Sequence, residues 1–591
     1  MSALEQAGRG NPPEFKRMPQ PHLRLRLAMR DGIRLDTWVW LPERPQERIP
    51  AILMRTPYRE EVLGWARSYD PLRFCDAGYA LVYQLIRGTG ASEGEFIRNS
   101  RQEANDGYDT IEWIATQSWC DGAVGMNGSS YLAMTQLWAA SGRPPHLRCI
   151  IPSSPTLGPF SRRGRVAADC GAPYRGGAFQ RMWAINWLNL ISVDSLRELR
   201  GGFIATMPIL SHPDWLRRMT SRPLIDAADD VLRTDRLRQY REAASHPTFD
   251  DWWRARSLQE EDWAKIEVPA FIMSGNFDAA VSDVLIEWRA LEENAPQRVE
   301  RHLLIGPWDH GLVPADRYGP HDLGPNAVRD LFALRLAFFD KHLKGTKMGL
   351  DLAKRVTLFI TGSNEWHSLD RFPPTEISVV PLYLHSGGAA NSARGDGRLS
   401  WEAPAHAEPS DSFVSDPTLP FVPALASADA ALMFDLRESE RCHERLVYSM
   451  EALEQPLTLL GEPEVVLHLA ADAPDCDVVV WLAEHRCDGK TIELASGMLR
   501  LRYREGFDQE VLLAPGVPVK VRIPMSYVAH RMNPASILRL MVGADHFPHI
   551  DPNPNTGEPI ATAIEMRVSV ETIFHDVERP SAVLLPRLPN G

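Results

Sequence analysis

The chain has 591 residues, of which 44% are hydrophobic and 24% are charged, and 64 basic against 77 acidic residues give a formal net charge of −13. A single hydrophobic core rarely grows to this length, so we expect several globular domains rather than a disordered or fibrous chain. Because no long basic run is present, nucleic acid is not an expected partner.

The first predicted element is a β-hairpin. Apolar and polar residues alternate from Leu23 to Trp40 on both sides of Asp31 and Gly32, a dipeptide typical of tight turns. Apolar runs and helical spacing then alternate, which predicts a mostly parallel sheet covered by helices. These elements are strands over 51–54 and 79–86, a helix over 104–115, a strand over 123–127, a helix over 131–140 and a strand over 148–151.

The strand pattern then stops, and segments rich in tryptophan, arginine and leucine predict a helical insertion over 158–262. Strands resume over 268–274 and 302–305, and a helix over 327–343 ends near Gly345. Short β runs between proline, glycine and aspartate turns follow, which predict an all-β sandwich. The predicted organisation is an α/β domain in two parts, 1–157 and 263–352, divided by the insertion 158–262 and followed by a β domain over 353–591.

Targeting signals are not apparent in the sequence. The N-terminal segment lacks the apolar core of a signal peptide, and no apolar stretch reaches the roughly 18 residues that suggest a membrane span. The seven cysteines are scattered and form no Cys-x-x-Cys pair, which is typical of reduced thiols. We therefore expect a cytoplasmic protein without a membrane partner.

Ser130 is the predicted nucleophile. It lies where the strand over 123–127 meets the helix that begins near Tyr131, and a nucleophile elbow needs such a junction to expose the hydroxyl and to turn the next backbone N–H toward an oxyanion. Gly128 gives space two residues before the serine, whereas Leu132 stands where a second glycine is usual. Ala133 is the nearest small residue after it.

A second serine, Ser92, matches the Gly-x-Ser-x-Gly motif literally, between Gly90 and Gly94. An apolar run precedes it, but a polar loop follows it instead of an apolar helix. Gly88 and Gly90 also predict an irregular turn. The context therefore favours Ser130 and leaves Ser92 as a hydrogen-bonding loop residue near the site.

The acid and the base are predicted from loops that follow later apolar strands. Asp278 follows the run over 268–274, and His310 follows the run over 302–305. The chain order Ser130, Asp278, His310 is the order found in α/β-hydrolases. The sequence thus predicts a Ser-Asp-His triad.

With these residues the chain resembles the family of serine hydrolases that includes cocaine esterase, glutaryl acylase and X-prolyl dipeptidyl aminopeptidase, the CocE/NonD type. The resemblance implies an α/β-hydrolase core with an inserted helical cap and a C-terminal jelly roll. It also implies an oxyanion hole in which the Tyr58 hydroxyl joins the backbone N–H of Tyr131. The segments that carry it are 29–35, 55–58, 87–94, 128–133, 306–310, 339–345 and 547–557.

The sequence departs from the family pattern at several points. Leu85 stands where family members often have an acid two residues before Arg87, which puts an ion pair there in doubt. Ala133 stands where a glycine is common. The α-amino ester hydrolases of the family carry extra acids just after the triad aspartate, whereas Ala279, Ala280 and Val281 follow Asp278. An acyl group with a free α-amino group is therefore not expected.

The predicted activity is cleavage of a carboxylic ester in a small molecule through an acyl-enzyme, without a cofactor and without a metal. Trp183, Trp187 and Trp308 are candidate pocket residues for an apolar or aromatic acyl group, although large aromatic residues often only pack. Amide cleavage by an acylase or an X-prolyl dipeptidyl aminopeptidase uses the same triad and stays open. A homo-oligomer also stays open.

Two further alternatives need no serine chemistry. A metal-dependent hydrolase would need clustered ligands, and Asp545, His546, His549 and Asp551 are the best candidates, although their spacing is irregular and no His-Glu-x-x-His motif is present. A noncatalytic binding protein could use the C-terminal β domain alone, since fold does not establish function.

Overall fold

A computed structural model of the chain describes residues 19–43, 48–58, 72–156, 161–162, 165–166, 173–192, 214–346, 354–421 and 435–589. Its first sheet has ten strands, and the sheet is mostly parallel, as the sequence predicts. The strands are, in chain order, Leu23–Ala28 (β1), Arg34–Trp40 (β2), Ile49–Thr56 (β3), Ala80–Leu85 (β4), Cys120–Ser129 (β5), Leu147–Ser153 (β6), Ala270–Gly275 (β7), Arg301–Gly306 (β8), Val356–Ile360 (β9) and Glu365–Leu369 (β10).

The strands lie in the order β1-β2-β4-β3-β5-β6-β7-β8-β9-β10, and every pair from β4 to β9 is parallel. β1 and β2 form the predicted antiparallel hairpin. Gly32 in its turn has a φ of +86°, a backbone conformation that glycine adopts without strain. The sheet continues past residue 352, where the sequence predicts a boundary, because β9 adds to β8 in parallel and β10 then pairs with β9.

The described α-helices are ten. They are, in chain order, Arg73–Asp76 (α1), Gln102–Ala115 (α2), Tyr131–Ser141 (α3), Arg181–Leu190 (α4), Trp215–Thr220 (α5), Thr234–Ala244 (α6), Asp251–Arg254 (α7), Glu260–Trp263 (α8), Val281–Asn294 (α9) and Leu331–Leu343 (α10). α10 begins four residues later than predicted, since Pro325–Ala327 is a separate 3-10 turn and the Asp330 carboxylate caps the helix by accepting the Ala333 N–H.

Both faces of the first sheet are covered, which explains why its inner strands are apolar throughout. Alternate residues such as Leu53 and Ile272 pack with α2, α3 and α9, whereas Ile52 and Met273 pack with α1 and α10. The edge of the sheet at the carboxyl ends of the strands is left to the loops. This edge is where ligands bind in parallel sheets.

The predicted insertion 158–262 is described only in part. Its described residues form helices α4 to α7, most of α8, and short strand pairs, Ser161–Arg162 with Arg165–Val166 and Tyr174–Arg175 with Ala178–Phe179. We call this region the cap. Among the described residues, no helix is long and apolar enough to cross a membrane.

The C-terminal part is built from β-strands, as predicted, and one thirteen-stranded sheet connects them. We call this region the β domain. The strand Thr491–Arg500 is followed directly by a 3-10 turn over Leu501–Tyr503. Its strands are Ser378–His385, Arg398–Ser400, Asp411–Ser415, Leu446–Ser449, Leu457–Gly461, Glu464–Ala471, Asp477–His485, Thr491–Arg500, Val519–Pro524, Val528–Met532, Ile537–Gly543, Ser569–Phe574 and Ala582–Leu588.

The cap and the β domain share one hydrophobic core. Tyr174 and Phe179 of the cap belong to the same buried cluster as Leu501 and Tyr503 of the β domain. The backbones also meet, because the Arg500 N–H donates to the Gly176 carbonyl oxygen at 2.8 Å. The position of the cap over the sheet is therefore set partly by the β domain.

Candidate active site

Ser130 lies on a sharp turn between β5 and α3. Its φ of +61° and ψ of −125° are rare for a residue with a side chain, and such strain is typical of a nucleophile elbow. The Ser130 N–H donates to the Ser153 carbonyl oxygen on β6 at 2.9 Å, which fixes the turn to the sheet. A Cβ at Gly128 would overlap the Leu132 side chain. Leu132, at the place of the usual second glycine, thus packs in the space that Gly128 leaves.

Asp278 and His310 lie together on loops that follow β7 and β8. The Nδ1 of His310 lies 2.8 Å from an Asp278 carboxylate oxygen. That carboxylate is fully buried, and it also accepts hydrogen bonds from the Ser274 hydroxyl at 2.9 Å and from the Ala280 N–H at 2.8 Å. The acid is therefore held in one orientation on all sides.

Burial by itself raises the pKa of Asp278, because a charge is poorly solvated in the protein interior. The charge and the hydrogen bond of His310 oppose burial, and the Ala280 N–H adds to them. Together they hold the pKa of Asp278 below its ordinary value of 3.8. The carboxylate is therefore ionised near neutral pH, as an acid that orients a histidine must be.

The two loops are locked together where they leave the sheet. The Asn276 N–H donates to the Gly306 carbonyl oxygen at 2.7 Å, and the Phe277 N–H donates to that of Trp308 at 2.9 Å. A Cβ at Gly275 would overlap the Trp308 carbonyl oxygen, so this close approach requires glycine. Since β5, β6, β7 and β8 are parallel neighbours, Ser130, Asp278 and His310 all leave the same edge of the sheet.

The Tyr58 hydroxyl lies between Trp187 and Ser130. The indole Nε1 of Trp187 is 3.0 Å from the phenol oxygen, and the Ser130 side chain acts on the phenol in the direction that lowers its pKa. An indole N–H can only donate, so the Tyr58 oxygen accepts from Trp187 and its own proton points elsewhere. Burial raises the pKa of Tyr58, which keeps the phenol protonated as a donor.

Tyr131 is the first residue of α3 and directly follows Ser130. Backbone N–H groups at the start of a helix have no partner within the helix, so that of Tyr131 suits an oxyanion. The ring of Tyr131 stacks on Trp187 with centroids 5.9 Å apart, and its hydroxyl accepts the Asn99 N–H at 3.1 Å. Both predicted oxyanion-hole residues thus contact Trp187.

The three candidate pocket residues lie in two places. Trp183 and Trp187 stack on each other along α4, with centroids 5.7 Å apart, and both line one cavity that opens to solvent. Trp308 is fully buried and packs against Trp366 in the core beside α10. Because Trp308 lies in the core, its placement indicates a packing role. A tryptophan at a strand end can point into the core as readily as into a pocket, so the sequence does not distinguish the two. The cavity wall includes Phe96, Arg98, Trp183, Trp187, Trp252 and Arg256.

Ser92 is bound on both sides by backbone. Its hydroxyl donates to the Leu85 carbonyl oxygen at 2.7 Å and accepts the Asp36 N–H at 2.9 Å. Gly88 and Gly90 near it both have positive φ, so the segment is the irregular turn that the sequence predicts. These bonds assign Ser92 to the link between this turn and the hairpin.

An ionic network that the sequence does not indicate links β3, the turn after β4, α2 and the hairpin. Arg87 pairs with Asp106 of α2 at 2.6 Å and with Asp31 of the hairpin turn at 2.8 Å. These two aspartates provide the ion pairs that Leu85, which stands where family members often have an acid, cannot form. Arg55, three residues before Tyr58, is fully buried and pairs with Glu103 at 2.9 Å. Helix-face acids are ordinarily solvated, which is why spacing alone could not reveal these pairs.

The four candidate metal ligands lie in the β domain. The Asp551 carboxylate pairs with Arg181 and Arg222, and Asp545 pairs with Arg445 at 3.1 Å. Burial lowers the pKa values of His546 and His549, the latter to about 4. Within the described residues, no three His, Cys, Asp or Glu side chains form a group suited to a metal ion.

A strained serine at one edge of a parallel sheet, followed in the chain by an aspartate that holds a histidine, is the arrangement with which α/β-hydrolases cleave esters and amides. The chain is a serine hydrolase of this class. Residues 31–312 match the family model described as X-Pro dipeptidyl-peptidase (S15 family). Residues 349–584 match the X-Pro dipeptidyl-peptidase C-terminal non-catalytic domain.

The cocaine esterase of Rhodococcus sp. (strain MB1 Bresler) is 32% identical over 594 residues, which cover 95% of this chain and 97% of that protein. The chain therefore belongs to the CocE/NonD family of hydrolases. The match to the X-Pro dipeptidyl-peptidase family model agrees with this assignment.

Solved structures show the same fold. An α-amino acid ester hydrolase has a TM-score of 0.80 and 24% identity, with 96% of each chain covered. An aminopeptidase from a marine sediment archaeon, Thaumarchaeota archaeon, has a TM-score of 0.79 and 24% identity, with 97% of this chain and 98% of that chain covered. The hydrolase core and the β domain are thus arranged as in other members of this fold.

Proposed function

We propose that this protein hydrolyses small carboxylic esters through an acyl-enzyme on Ser130. One observation carries the proposal: the strained turn at Ser130 lies on the sheet edge where the buried Asp278 carboxylate holds His310 at 2.8 Å. A serine between a general base and a neutral donor is equipped for attack on a carbonyl carbon.

His310 accepts the Ser130 proton as the hydroxyl oxygen attacks the carbonyl carbon. The developing negative charge moves onto the carbonyl oxygen, where the Tyr58 hydroxyl and the Tyr131 N–H donate to it. His310 then gives the proton to the leaving alcohol, and the ester bond breaks. Water repeats the sequence, so that the acid is released and Ser130 regains its proton. Asp278 stabilises the imidazolium in both halves.

For the acyl group we propose an apolar or aromatic acid without a free α-amino group. The apolar rings of Trp183 and Trp187 beside Tyr58 support this choice, since apolar side chains favour an apolar acyl group. The loop after Asp278 supports it as well, because Ala279 and Ala280 offer no carboxylate to an ammonium group. The similarity to a cocaine esterase agrees with an ester substrate.

Amide cleavage is the second candidate, since residues 31–312 match a dipeptidyl-peptidase family. A matched panel separates the two: 4-nitrophenyl benzoate, 4-nitrophenyl butyrate and the nitroanilides of benzoic acid, butyric acid and Ala-Pro. We expect the nitrophenyl esters to be turned over fastest. Turnover of Ala-Pro nitroanilide above that of both esters would instead establish a dipeptidyl-peptidase.

The nucleophile is tested by labelling with a fluorophosphonate, followed by peptide mapping. We expect the label on Ser130 in the wild-type protein and in the Ser92→Ala variant, and no label in Ser130→Ala. Label on Ser92, or on no serine, would contradict the proposal. We also propose a cytoplasmic location, which the six free cysteines among the described residues support.

A further inference from the structure

A buried carboxylate of the β domain binds the first residue of helix α4 in the cap through an ion pair. Arg181, where α4 begins, forms an ion pair with Asp551, and both side chains are 0% exposed. Arg222 of the cap lies 2.9 Å from the other Asp551 oxygen. The Asp551 N–H also donates to the Phe179 carbonyl oxygen at 2.8 Å, two residues before the helix.

Arg181 also binds another part of the cap. Its guanidinium donates to the carbonyl oxygens of Arg218 at 2.8 Å and Ser221 at 3.0 Å. One planar group thus joins α4, the C-terminal end of α5 and the β domain. Loss of one partner from a buried ion pair leaves an uncompensated charge. The segments that Arg181 joins are therefore held in one arrangement relative to one another.

Helix α4 carries this anchoring to the site. Trp187 comes six residues after Arg181, which is about 9 Å along the helix axis. Its indole N–H donates to the Tyr58 oxygen at 3.0 Å, and its ring stacks on Tyr131 and Trp183. A helix is stiff over this length, so a shift at Arg181 moves Trp187 as well.

We propose that Asp551 is a positioning residue of the oxyanion hole. Asp551 fixes the start of α4, α4 fixes Trp187, and Trp187 orients the Tyr58 hydroxyl toward the developing oxyanion. This rests on the proposed role of Tyr58. The β domain, although its family is described as non-catalytic, thereby supports the rate without touching the substrate.

The first test is Asp551→Asn with 4-nitrophenyl butyrate as substrate. We expect kcat to fall about tenfold to hundredfold, since small displacements of a preorganised site have effects of this order. KM should change less than about threefold, because the Tyr58 contact strengthens in the transition state. Wild-type kcat in Asp551→Asn would overturn the proposal.

Glu440→Gln is the matched control. Glu440 is also a buried carboxylate of the β domain, and it binds Arg539 at 2.6 Å and Thr491 at 2.8 Å, both within that domain. Its variant should lose thermal stability and keep the wild-type kcat. A loss of kcat equal to that of Asp551→Asn would show that any buried defect in the β domain slows the enzyme, and would overturn the proposal.

The second test separates positioning from a general structural effect. In a Tyr58→Phe background, Asp551→Asn should lower kcat by less than about twofold, because the group through which it acts is already gone. An equal loss with and without Tyr58 would overturn the positioning role. Fluorophosphonate labelling of wild-type Ser130 is independent of Asp551, so a missing label counts against the proposed function and additive losses count against the positioning role alone.

If Asp551→Asn does not fold, Arg222→Gln replaces it. This variant keeps the Arg181 pair with Asp551 and removes the second arginine. We expect a fall in kcat of about threefold in the wild-type background and no further fall with Tyr58→Phe. An unchanged kcat, or the same fall in both backgrounds, would overturn the proposal.

Discussion

Asp278 and Asp551 are both fully buried, yet Asp278 faces a histidine whereas Asp551 faces two arginines. Histidine gains and loses a proton near neutral pH, but arginine stays charged. The Asp278 pair is therefore able to change its charge during a reaction, while the Asp551 pairs are permanent. The first arrangement suits proton transfer, and the second suits a fixed anchor.

The two regions also differ in how far along the chain their partners lie. His310 follows Asp278 by 32 residues and leaves the neighbouring strand, whereas 329 residues separate Arg222 from Asp551. The Asp278–His310 pair is thus built within one sheet edge, and the Asp551 pairs are built between the cap and the β domain. We expect disruption of the Asp278 pair to lower activity more than disruption of the Asp551 pairs.

Asp278→Asn should give the largest effect. The amide cannot stabilise an imidazolium and favours the wrong histidine tautomer, so kcat should fall about 10⁴-fold. Steady-state hydrolysis of 4-nitrophenyl butyrate measures it, with Asp322→Asn, an exposed aspartate on a surface turn, as the control. A fall of less than about tenfold would assign Asp278 to packing rather than to chemistry.

Tyr58→Phe tests the donor that lies between the two regions. Loss of one oxyanion-hole donor typically lowers kcat about 10²- to 10³-fold. The ring remains to fill its site, so the melting temperature should stay close to that of the wild type. Equal kcat values for the variant and the wild type would contradict the role of Tyr58 and would assign stabilisation of the oxyanion to the backbone N–H of Tyr131.

Trp187→Phe keeps an aromatic ring but removes the N–H that binds the Tyr58 oxygen. We expect kcat to fall about tenfold, which corresponds to one hydrogen bond. Trp215→Phe is the control, because Trp215 lies on another cap helix, α5, and stacks on Phe547. If both variants lose the same factor, the loss reflects cap packing and not the orientation of Tyr58.

His575 of the β domain sharpens the comparison, because it pairs with acids and yet lies apart from the site. It is fully buried and lies 2.9 Å from Asp411 and 3.2 Å from Glu408. Burial lowers its pKa, but the two carboxylates outweigh burial and raise it above 6.5. A raised histidine pKa stabilises the fold below the unfolded value, and this stability is lost as pH rises through the folded value.

The melting temperature should therefore fall as pH is raised from 6 to 9, and this part of the fall should be absent in His575→Gln. We expect a difference of about 2 °C between the two proteins in this pH dependence, with no change in kcat at pH 7.5. His367→Gln, at a partly exposed histidine of β10, serves as the control. An identical pH dependence in wild type and His575→Gln would contradict the ionic role of His575.

Features encoded in one short segment were predictable from the sequence. The hairpin, the alternating strands and helices, and the Ser130 junction each depend on residues within about fifteen positions of one another. Asp278 and His310 followed because strand-end loops of a parallel sheet meet at one edge. The sequence does not indicate that the sheet continues into β9 and β10, because short β runs after the helix over 327–343 look alike whichever sheet they join.

Contacts between distant segments were not predictable in this way. The role of Tyr58 is implied only by the family resemblance, because a tyrosine at a strand end ordinarily packs. Trp187 appeared as a pocket residue, but its hydrogen bond to Tyr58 depends on where the cap lies. Asp551 was considered as a metal ligand, and no sequence pattern indicated that two cap arginines would surround it.

The close approach of Gly275 to the Trp308 carbonyl oxygen has a consequence for protein engineering. The loops that bear the acid and the base are joined by backbone bonds at this crossing, so an insertion in either loop displaces both. Libraries that vary substrate preference should treat 275–278 and 306–310 as one module. A scaffold that receives this catalytic pair must accept both loops and the glycine between them.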